Sequence, residues 1–254
     1  MSEAALTIHD VLAQFREEAS SKRDLGDRFE RLVCAYLRLD PLYAERFSNV
    51  WMFNDWPRKG NIGDVGIDVV AEERATGEFC GIQCKFYDPK HTLDKDDIDS
   101  FFTAIGHPLF TSGLIISTTD KWGKNAEHAL GHQTKPVNRL SVHDLAASPV
   151  DWSKFHLQRP QELIATPKKT AREHQMSALA AVVKGYETQD RGKLIMACGT
   201  GKTSTALKVA EALAPNGTIL FLVPSLSLLS QTLREWTSEA THPLRSMAVC
   251  SDTK

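Results

Sequence analysis

The alternation of apolar and polar residues predicts a mixed α/β fold for the first part of the chain. Helical periodicity covers residues 7–22 and 25–39, with Asp24 as a candidate N-terminal cap of the second helix. Strand-like runs follow near 47–53, 66–72 and 79–87. A helix near 95–106, a strand at 113–118, a helix at 123–131 and a strand near 138–142 complete the predicted order.

The pattern changes between residues 148 and 172, where prolines at 149, 160 and 167 interrupt regular elements. We therefore predict a first domain at residues 1–147, a linker at 148–172 and a second domain at 173–254. The second domain starts with an amphipathic helix. A buried strand, a glycine-containing loop and a helix are then predicted within residues 192–213.

The stretch from Gly63 to Lys85 carries the clearest candidate chemistry. Its two strand-like runs flank the turn-prone segment ERATGE and predict a hairpin, which would direct Asp68, Gln83 and Lys85 into one cleft. Cys84 would then face the core. A carboxylate suits Mg²⁺, and a nearby lysine can orient water or stabilise charge during phosphodiester hydrolysis. An alternative is that Asp68 caps a turn and Lys85 is a solvated strand lysine.

Charge is distributed unevenly along the chain. Residues 1–150 hold 17 Lys and Arg against 23 Asp and Glu, a net of −6, whereas the remaining residues have a net of +4. An acidic domain cannot attract DNA by its overall field, so contact would depend on local basic patches. The candidate patches are residues 58–60, Lys121, Lys124, Lys135 and Arg139, and each has the alternative of being ordinary solvated surface.

Composition predicts a cytoplasmic protein without a membrane segment, because no apolar run reaches about 18 residues and no signal-like start is present. The five cysteines (34, 80, 84, 198 and 250) lack zinc-ligand spacing and are predicted to be buried, reduced thiols. His128 and His132 are four residues apart, but they lack a third ligand and are predicted to lie on the surface. The segment Val50–Pro57 is predicted to contribute aromatic residues to the core or a lid, with base stacking as the alternative.

The sequence GTGKT at residues 199–203 predicts a phosphate-binding loop. Gly199 and Gly201 would let main-chain amides around Thr200 turn towards phosphate oxygens. Lys202 would reach the β and γ phosphates of ATP, and Thr203 would bind Mg²⁺. Met196 stands where the first glycine of the full GxxxxGK[ST] pattern would be.

Several segments of the first 145 residues, in order, resemble the Mrr-like branch of the PD-(D/E)xK nucleases. They are GDRFERLVCAYL, GDVGIDVVAE, IQCKFY, LIISTTDKWGKNAEHAL and NRLSVHDL. The resemblance implies a PD-(D/E)xK, restriction-endonuclease-like core whose catalytic residues are Glu30, Asp68, Gln83 and Lys85. Of these, Asp68, Glu30 and Gln83 would bind Mg²⁺. Asp27 and Glu45 are weaker alternatives to Glu30, and Gln83 stands where many relatives have a glutamate.

The segment MACGTGKT resembles motif I of superfamily 2 helicases and translocases, especially those of type I restriction subunits and their single-chain relatives. Residues 172–175 (REHQ) resemble the Q motif, so Gln175 is implied to read adenine, and residues 218–236 resemble the second strand and motif Ia. The resemblance implies an incomplete RecA-like lobe after the nuclease core. No Walker B sequence follows residues 247–254, which look like a third strand, so we expect a fragment of a longer protein that lacks a competent ATPase.

Nuclease-first order and the DWP segment before GDVGID look similar to type ISP restriction-modification enzymes. This resemblance implies a Mg²⁺- and ATP-dependent endonuclease acting on double-stranded DNA. It also implies that the missing parts are the rest of the helicase and the methyltransferase and target-recognition domains that such enzymes carry. Two alternatives stay open. One is a DNA-binding helicase or remodeller with an inactive nuclease-like domain, and the other is a type IV nuclease directed at modified DNA.

Overall fold

The protein is described here by a computed structural model that covers residues 6–60, 63 and 66–250. It divides into two compact units between Thr166 and Pro167. The first unit contains, in order, α1 (Ile8–Glu18), α2 (Lys22–Leu39), α3 (Pro41–Arg46), β1 (Phe47–Met52), β2 (Val69–Glu73), β3 (Phe79–Lys85), α4 (Asp99–Ile105), β4 (Phe110–Ser117), α5 (Lys124–Gly131), β5 (Val137–Ser141), α6 (Val142–Ala147), β6 (Val150–Asp151) and β7 (Ile164–Ala165).

A mixed five-stranded sheet in the order β1-β2-β3-β4-β5 forms the centre of this unit. β1 and β3 pair antiparallel with β2, which confirms the predicted hairpin, whereas β3, β4 and β5 run parallel. The carboxyl ends of β3 and β4 therefore meet the amino end of β2 at one edge of the sheet. The predicted α/β class and element order are confirmed, although the helix predicted at 95–106 is a 3₁₀ turn (Lys95–Asp97) followed by α4.

The cap predicted for the second helix is wrong by one turn. α2 begins at Lys22, and the Ser21 side chain accepts a hydrogen bond from the Asp24 amide as the N-cap. The Asp24 carboxylate instead accepts hydrogen bonds from the Ser20 amide and hydroxyl. Two polar residues spaced three apart both suit a helix start, so the sequence alone favours either one.

Alternation along the strands builds two apolar layers. Ile82, Leu114 and Ile116 face the core formed with α1 and α2, whereas Val70 and Ile115 face the opposite core beside α4. The aromatic segment near residue 56 belongs to this second core, since the Trp56 ring lies 5.1 Å from that of Phe79 and 5.5 Å from that of Phe110. The core interpretation of this segment is therefore confirmed.

Residues 150–165, which fall within the predicted linker, pack on the first unit. β6 pairs with β7, and the buried Trp152 ring stacks on Tyr36 with centroids 6.1 Å apart. The domain limits derived from the sequence remain a prediction. The structure adds that this proline-containing segment contributes to the first core.

The second unit contains three helices among its described residues: α7 (Glu173–Tyr186), α8 (Lys202–Leu213) and α9 (Leu226–Glu239). Leu207, Trp236 and Ala240 form its small buried cluster. The strands predicted around residues 193–197, 218–223 and 247–250 are not formed in the part of this unit that the structure describes, and residues 251–254 of the third run lie outside it. Ile195 and Met247, which lie in these runs, are 90% and 88% exposed.

The cysteine prediction holds only for the first unit. Cys34 and Cys80 are buried, and Cys84 packs partly buried against the core, as predicted. Cys198 and Cys250 are exposed, because they lie in a loop and in an unpaired run of the second unit. All five are free thiols in the structure.

Candidate functional sites

Strand pairing brings Asp68 opposite the Gln83–Lys85 tripeptide. Asp68 directly precedes β2, and its amide donates a hydrogen bond to the carbonyl oxygen of Ile82 at 2.9 Å. The Cys84 amide donates to Asp68 Oδ2 at 2.6 Å. This short bond between a main-chain amide and a carboxylate fixes the Asp68 side chain against the tripeptide, as the hairpin prediction requires.

Gln83 is the buried member of the candidate set, with 2% of its surface exposed. Its Nε2 donates to the carbonyl oxygen of Gly66 at 3.1 Å. Because only the amide nitrogen can donate to that carbonyl, this bond also fixes the position of Oε1. Among the residues that the structure describes, no donor reaches Oε1. A buried acceptor without a partner costs free energy, and a bound cation would remove that cost.

Gly66 supports Gln83 through its backbone conformation. Its φ of +83° lies in the left-handed region that favours glycine. A Cβ atom at this position would lie 2.8 Å from Ser100 Oγ and 3.4 Å from Gln83 Nε2. The first turn of α4, through Ser100, therefore packs against the Gly66–Gln83 contact. Residues 64 and 65 of the motif GDVGID lie outside the described residues.

Glu30 comes to the same edge from α2. The neighbouring Phe29 makes an edge-to-face contact with Phe86, and their ring centroids are 5.5 Å apart. Burial raises the pKa of the Cys84 thiol well above its usual value, and the charges of Asp68 and Glu30 add to this effect, whereas Lys85 opposes it. The charges of Glu30, Asp68 and Lys85 therefore all act on the Cys84 thiol.

The candidate set contains only two carboxylates, and the described residues hold no group of three or more His, Cys, Asp or Glu that could bind a metal. The donors are therefore two carboxylates and the amide oxygen of Gln83, all of which are hard oxygen ligands. His128 and His132 are exposed as predicted. Their rings stack at 4.0 Å, and His132 Nδ1 lies 2.7 Å from the carbonyl oxygen of His128.

The segment after Lys85 is tied to two neighbouring loops that the sequence reasoning missed. The Thr118 amide donates to the carbonyl oxygen of Lys85 at 3.0 Å, and the Tyr87 amide donates to Thr118 Oγ1 at 2.8 Å. The Tyr87 hydroxyl donates to Asp97 Oδ1 at 2.7 Å. Burial and this hydrogen bond raise the pKa of Tyr87. Tyr87 thus connects the end of β3 to the turn before α4, and only its closeness to Lys85 in the sequence could have indicated this role.

Two of the basic residues predicted as DNA contacts have their donor groups occupied within the protein. Lys135 Nζ donates to three carbonyl oxygens at the end of α4, at 2.7, 3.1 and 2.8 Å. Arg139 pairs with Glu127 at 2.6 Å. Arg58 lies over the Phe79 ring, 5.2 Å from its centroid, and Phe79 begins β3 at the edge opposite Lys85. The predicted patches at Lys135 and Arg139 are therefore occupied by structural contacts.

The Gly199–Thr203 loop leads directly into α8. Gly199 and Gly201 have φ values of +77° and +80°, as the predicted loop requires. Lys202 is the first residue of α8, and its Nζ donates to the carbonyl oxygen of Ala197 at 3.3 Å. The positive end of the α8 dipole therefore faces the loop, which is a favourable setting for a phosphate group.

Gln175 packs directly against this loop. Its Nε2 donates to the carbonyl oxygens of Thr200 and Gly201 at 3.2 and 3.4 Å, and its Oε1 accepts from the Arg172 amide at 2.8 Å. A Cβ atom on Gly201 would lie 2.3 Å from Gln175 Nε2. The structure thus brings Gln175 and Gly199–Thr203 together, and the role of Gln175 in reading adenine stays a prediction.

Two family models match adjacent parts of the chain. The model described as a restriction endonuclease, of the Mrr type, matches residues 38–162. The model described as the res subunit of type III restriction enzymes matches residues 168–252. No curated protein matches the chain. Together the two matches confirm the predicted relationship with an Mrr-like nuclease domain followed by a helicase-like region.

Two solved structures are similar to the chain. The ATP-dependent type ISP restriction-modification enzyme LlaBIII, bound to DNA, is 35% identical with a TM-score of 0.79 over 93% of this chain. This chain spans 15% of the length of that relative. A protein of unknown function, AF1548, matches over 74% of this chain with 17% identity and a TM-score of 0.33, which is too low to bear on the fold. In the part of the chain that the structure describes, no helix is long and apolar enough to cross a membrane.

Proposed function

We propose that this chain, which carries a restriction endonuclease domain at residues 38–162 and a helicase-like region at residues 168–252, is the Mg²⁺-dependent endonuclease module of a cytoplasmic, ATP-dependent restriction enzyme. Its substrate is double-stranded DNA. The observation that carries the proposal is the arrangement at the end of β3. There the Cys84 amide holds Asp68 beside Gln83, whose buried Oε1 has no partner among the described residues.

The oxygen donors at this edge fit Mg²⁺. Asp68 and Glu30 would contribute carboxylate oxygens, and Gln83 would contribute Oε1. When bound, the cation supplies an activated water and neutralises charge on the phosphoryl oxygens. With one amide in place of a third carboxylate, we expect weaker metal binding than at a site with three charged ligands.

Lys85 would stabilise the charge that develops on the phosphate or orient the attacking water. Its main chain is held on both sides, since β3 pairs with β4 through Lys85 and Ser117, and the carbonyl oxygen of Lys85 accepts from the Thr118 amide. A held main chain limits the positions that the side chain can reach, which favours a charge placed for the transition state.

The second unit would bind Mg-ATP and belong to a superfamily 2 translocase motor. Main-chain amides of the Gly199–Gly201 loop and the α8 N-terminus would bind phosphates, with Lys202 on the β and γ phosphates and Thr203 on Mg²⁺. The rest of the helicase, together with methyltransferase and target-recognition domains, would complete the enzyme. ATP-driven movement would then bring the nuclease to its cleavage position.

The proposal is tested by incubating the complete protein, supplied with ATP, with linear and supercoiled DNA in the absence of metal and with Mg²⁺ or Mn²⁺. We expect cleavage only with a divalent metal. Asp68→Asn removes the charged ligand but keeps the shape of the side chain, and it should abolish cleavage while DNA binding persists. Metal-independent cleavage, or full activity of Asp68→Asn, would contradict the assignment of this site.

A second candidate function is a domain that holds duplex DNA without cutting it. The amide of Gln83 favours this candidate, because it removes one negative charge from the metal site. The same assay separates the two functions. If DNA is bound and ATP hydrolysed by the complete protein but neither Mg²⁺ nor Mn²⁺ supports cleavage, the binding function is correct.

A further inference from the structure

Oxygen atoms of the protein bind six arginines of the first unit. Carboxylates bind Arg28, Arg46, Arg139 and Arg159, and main-chain carbonyls bind Arg38 and Arg74. Arg16 is held differently. It is exposed at the end of α1, and its guanidinium lies over the ring of Phe86, with Cζ 4.9 Å from the ring centroid.

This stacking holds Arg16 at the end of β3 that carries the candidate nuclease residues. Phe86 directly follows Lys85, and its ring also contacts Phe29, the neighbour of Glu30. A positive charge is therefore stacked on the residue after Lys85, which also contacts the residue before Glu30. Sequence patterns do not indicate this position, because α1 carries none of the nuclease motif residues.

Stacking leaves the binding groups of an arginine available. The face of the planar guanidinium contacts the aromatic ring, whereas its five N–H donors lie in the plane and point outwards. That edge geometry matches two oxygens of one phosphate. The ring also restricts the long side chain before any ligand arrives, so less conformational entropy is lost on binding.

The charge of the domain makes such a residue necessary. Residues 1–150 have a net charge of −6, and two carboxylates lie at the site itself. A DNA strand approaching this edge is repelled unless a local cation faces its backbone. We propose that Arg16 binds a phosphate of the DNA strand that enters the Asp68 site. This inference rests on the proposed function, since it concerns the substrate of the same site.

Arg58 provides a matched control for Arg16. Its guanidinium also stacks on a phenylalanine, Phe79, with Cζ 5.2 Å from the ring centroid. Phe79 and Lys85 are the first and last residues of β3 and lie about 20 Å apart along the strand. Arg16→Gln and Arg58→Gln therefore remove the same charge and the same kind of contact, but only the first change is close to Lys85.

The experiment measures the affinity of the full chain for a duplex of about 20 base pairs in Mg²⁺, between about 50 and 200 mM salt. All variants carry Lys85→Ala, so that binding is measured without cleavage. The slope of log K against log salt is negative, and we expect Arg16→Gln to reduce its magnitude by about 1, equally on unrelated sequences. Arg58→Gln should keep the original slope. Arg16→Lys should also keep the slope, because it retains the charge.

Thermal unfolding of each variant shows that a changed slope does not come from a misfolded protein. An unchanged slope in a folded Arg16→Gln protein would overturn the inference, as would an equal change in Arg58→Gln. Failure of the proposed function gives a different result. In that case, the protein with Lys85 intact does not cut DNA, while the binding comparison still reports on Arg16.

Discussion

Replacing Gln83 by glutamate tests directly whether its side chain faces a metal ion. The change adds a negative charge at a position that is 2% exposed and removes the hydrogen bond from Nε2 to the Gly66 carbonyl. Losing that bond leaves a buried carbonyl without its donor, which costs about 2 kcal/mol. For a domain of this size, 1 kcal/mol corresponds to about 2–4 °C, so the lost bond alone should lower the unfolding temperature of Gln83→Glu by about 4–8 °C without metal. The added buried charge should lower it further.

Mg²⁺ should reverse this loss if the site is a metal site. A third carboxylate raises the charge of the ligand set, and we expect the Mg²⁺ concentration at half-saturation to fall about tenfold, which corresponds to about 1.4 kcal/mol. The assay is thermal unfolding of the full chain across a Mg²⁺ titration. Gln83→Met is the control, because it has similar volume but no oxygen ligand, and Mg²⁺ should stabilise it less than the wild type.

The reasoning is refuted if Mg²⁺ stabilises Gln83→Glu, Gln83→Met and the wild type to the same extent. That result would mean that the Gln83 side chain is not a ligand, and the unpartnered Oε1 would need another explanation.

Gly66→Ala serves as a separate check on the support of Gln83. A methyl group there would crowd Ser100 and Gln83, so this variant should lose stability both with and without metal.

Three further predictions follow from contacts described above. Tyr87→Phe removes the hydrogen bond to Asp97, so we expect a loss of about 1 kcal/mol in thermal unfolding and faster amide exchange in residues 86–98 than in the wild type. Lys135→Met removes the donor shared by three carbonyls at the end of α4 and should cost about 1–3 kcal/mol without changing the salt slope of DNA binding; a changed slope would restore Lys135 as a DNA contact. Gly201→Ala places a Cβ against Gln175 and should abolish ATP binding in the complete protein, measured by nucleotide titration, while the Mg²⁺-dependent stabilisation of the first unit stays as in the wild type.

Local patterns were enough to predict the sheet and its central hairpin. Alternation in GIDVVAE placed Val70 and Ala71 on opposite faces, and the turn-prone segment at residues 74–77 determined that β3 returns antiparallel. Once that pairing is known, Asp68 must lie opposite Gln83, one residue beyond the Val69–Ile82 pair. The positions of the main candidate site residues therefore follow from the two-residue repeat of the strands and from the turn that joins them.

Contacts between distant segments could not be predicted in this way. Arg16 and Phe86 are 70 positions apart in the sequence, and the Tyr87–Asp97 bond depends on the path of a loop. Lys135 looked like a surface cation because the sequence does not show that α4 ends beside it. In each case the partner is determined by tertiary packing, on which local propensity gives no information.

The second unit shows a different limit of sequence patterns. Its apolar runs predict strands, and such runs become strands only where a neighbouring strand satisfies their main-chain groups. Around Ile195 and Leu220 the described residues supply no such neighbour, and both side chains are exposed. The helices and the Gly199–Thr203 loop form from local interactions, so their prediction did not depend on the sheet.

The most direct test of the central claim is the rate at which the complete protein cuts DNA at saturating DNA, Mg²⁺ and ATP, with and without Lys85. We predict that Lys85→Ala binds the duplex and Mg²⁺ but loses cleavage by at least about a hundredfold, the contribution expected of one fixed group that stabilises developing charge. Cleavage by Lys85→Ala at the wild-type rate would contradict the assignment of the Asp68, Gln83 and Lys85 site as the cutting site.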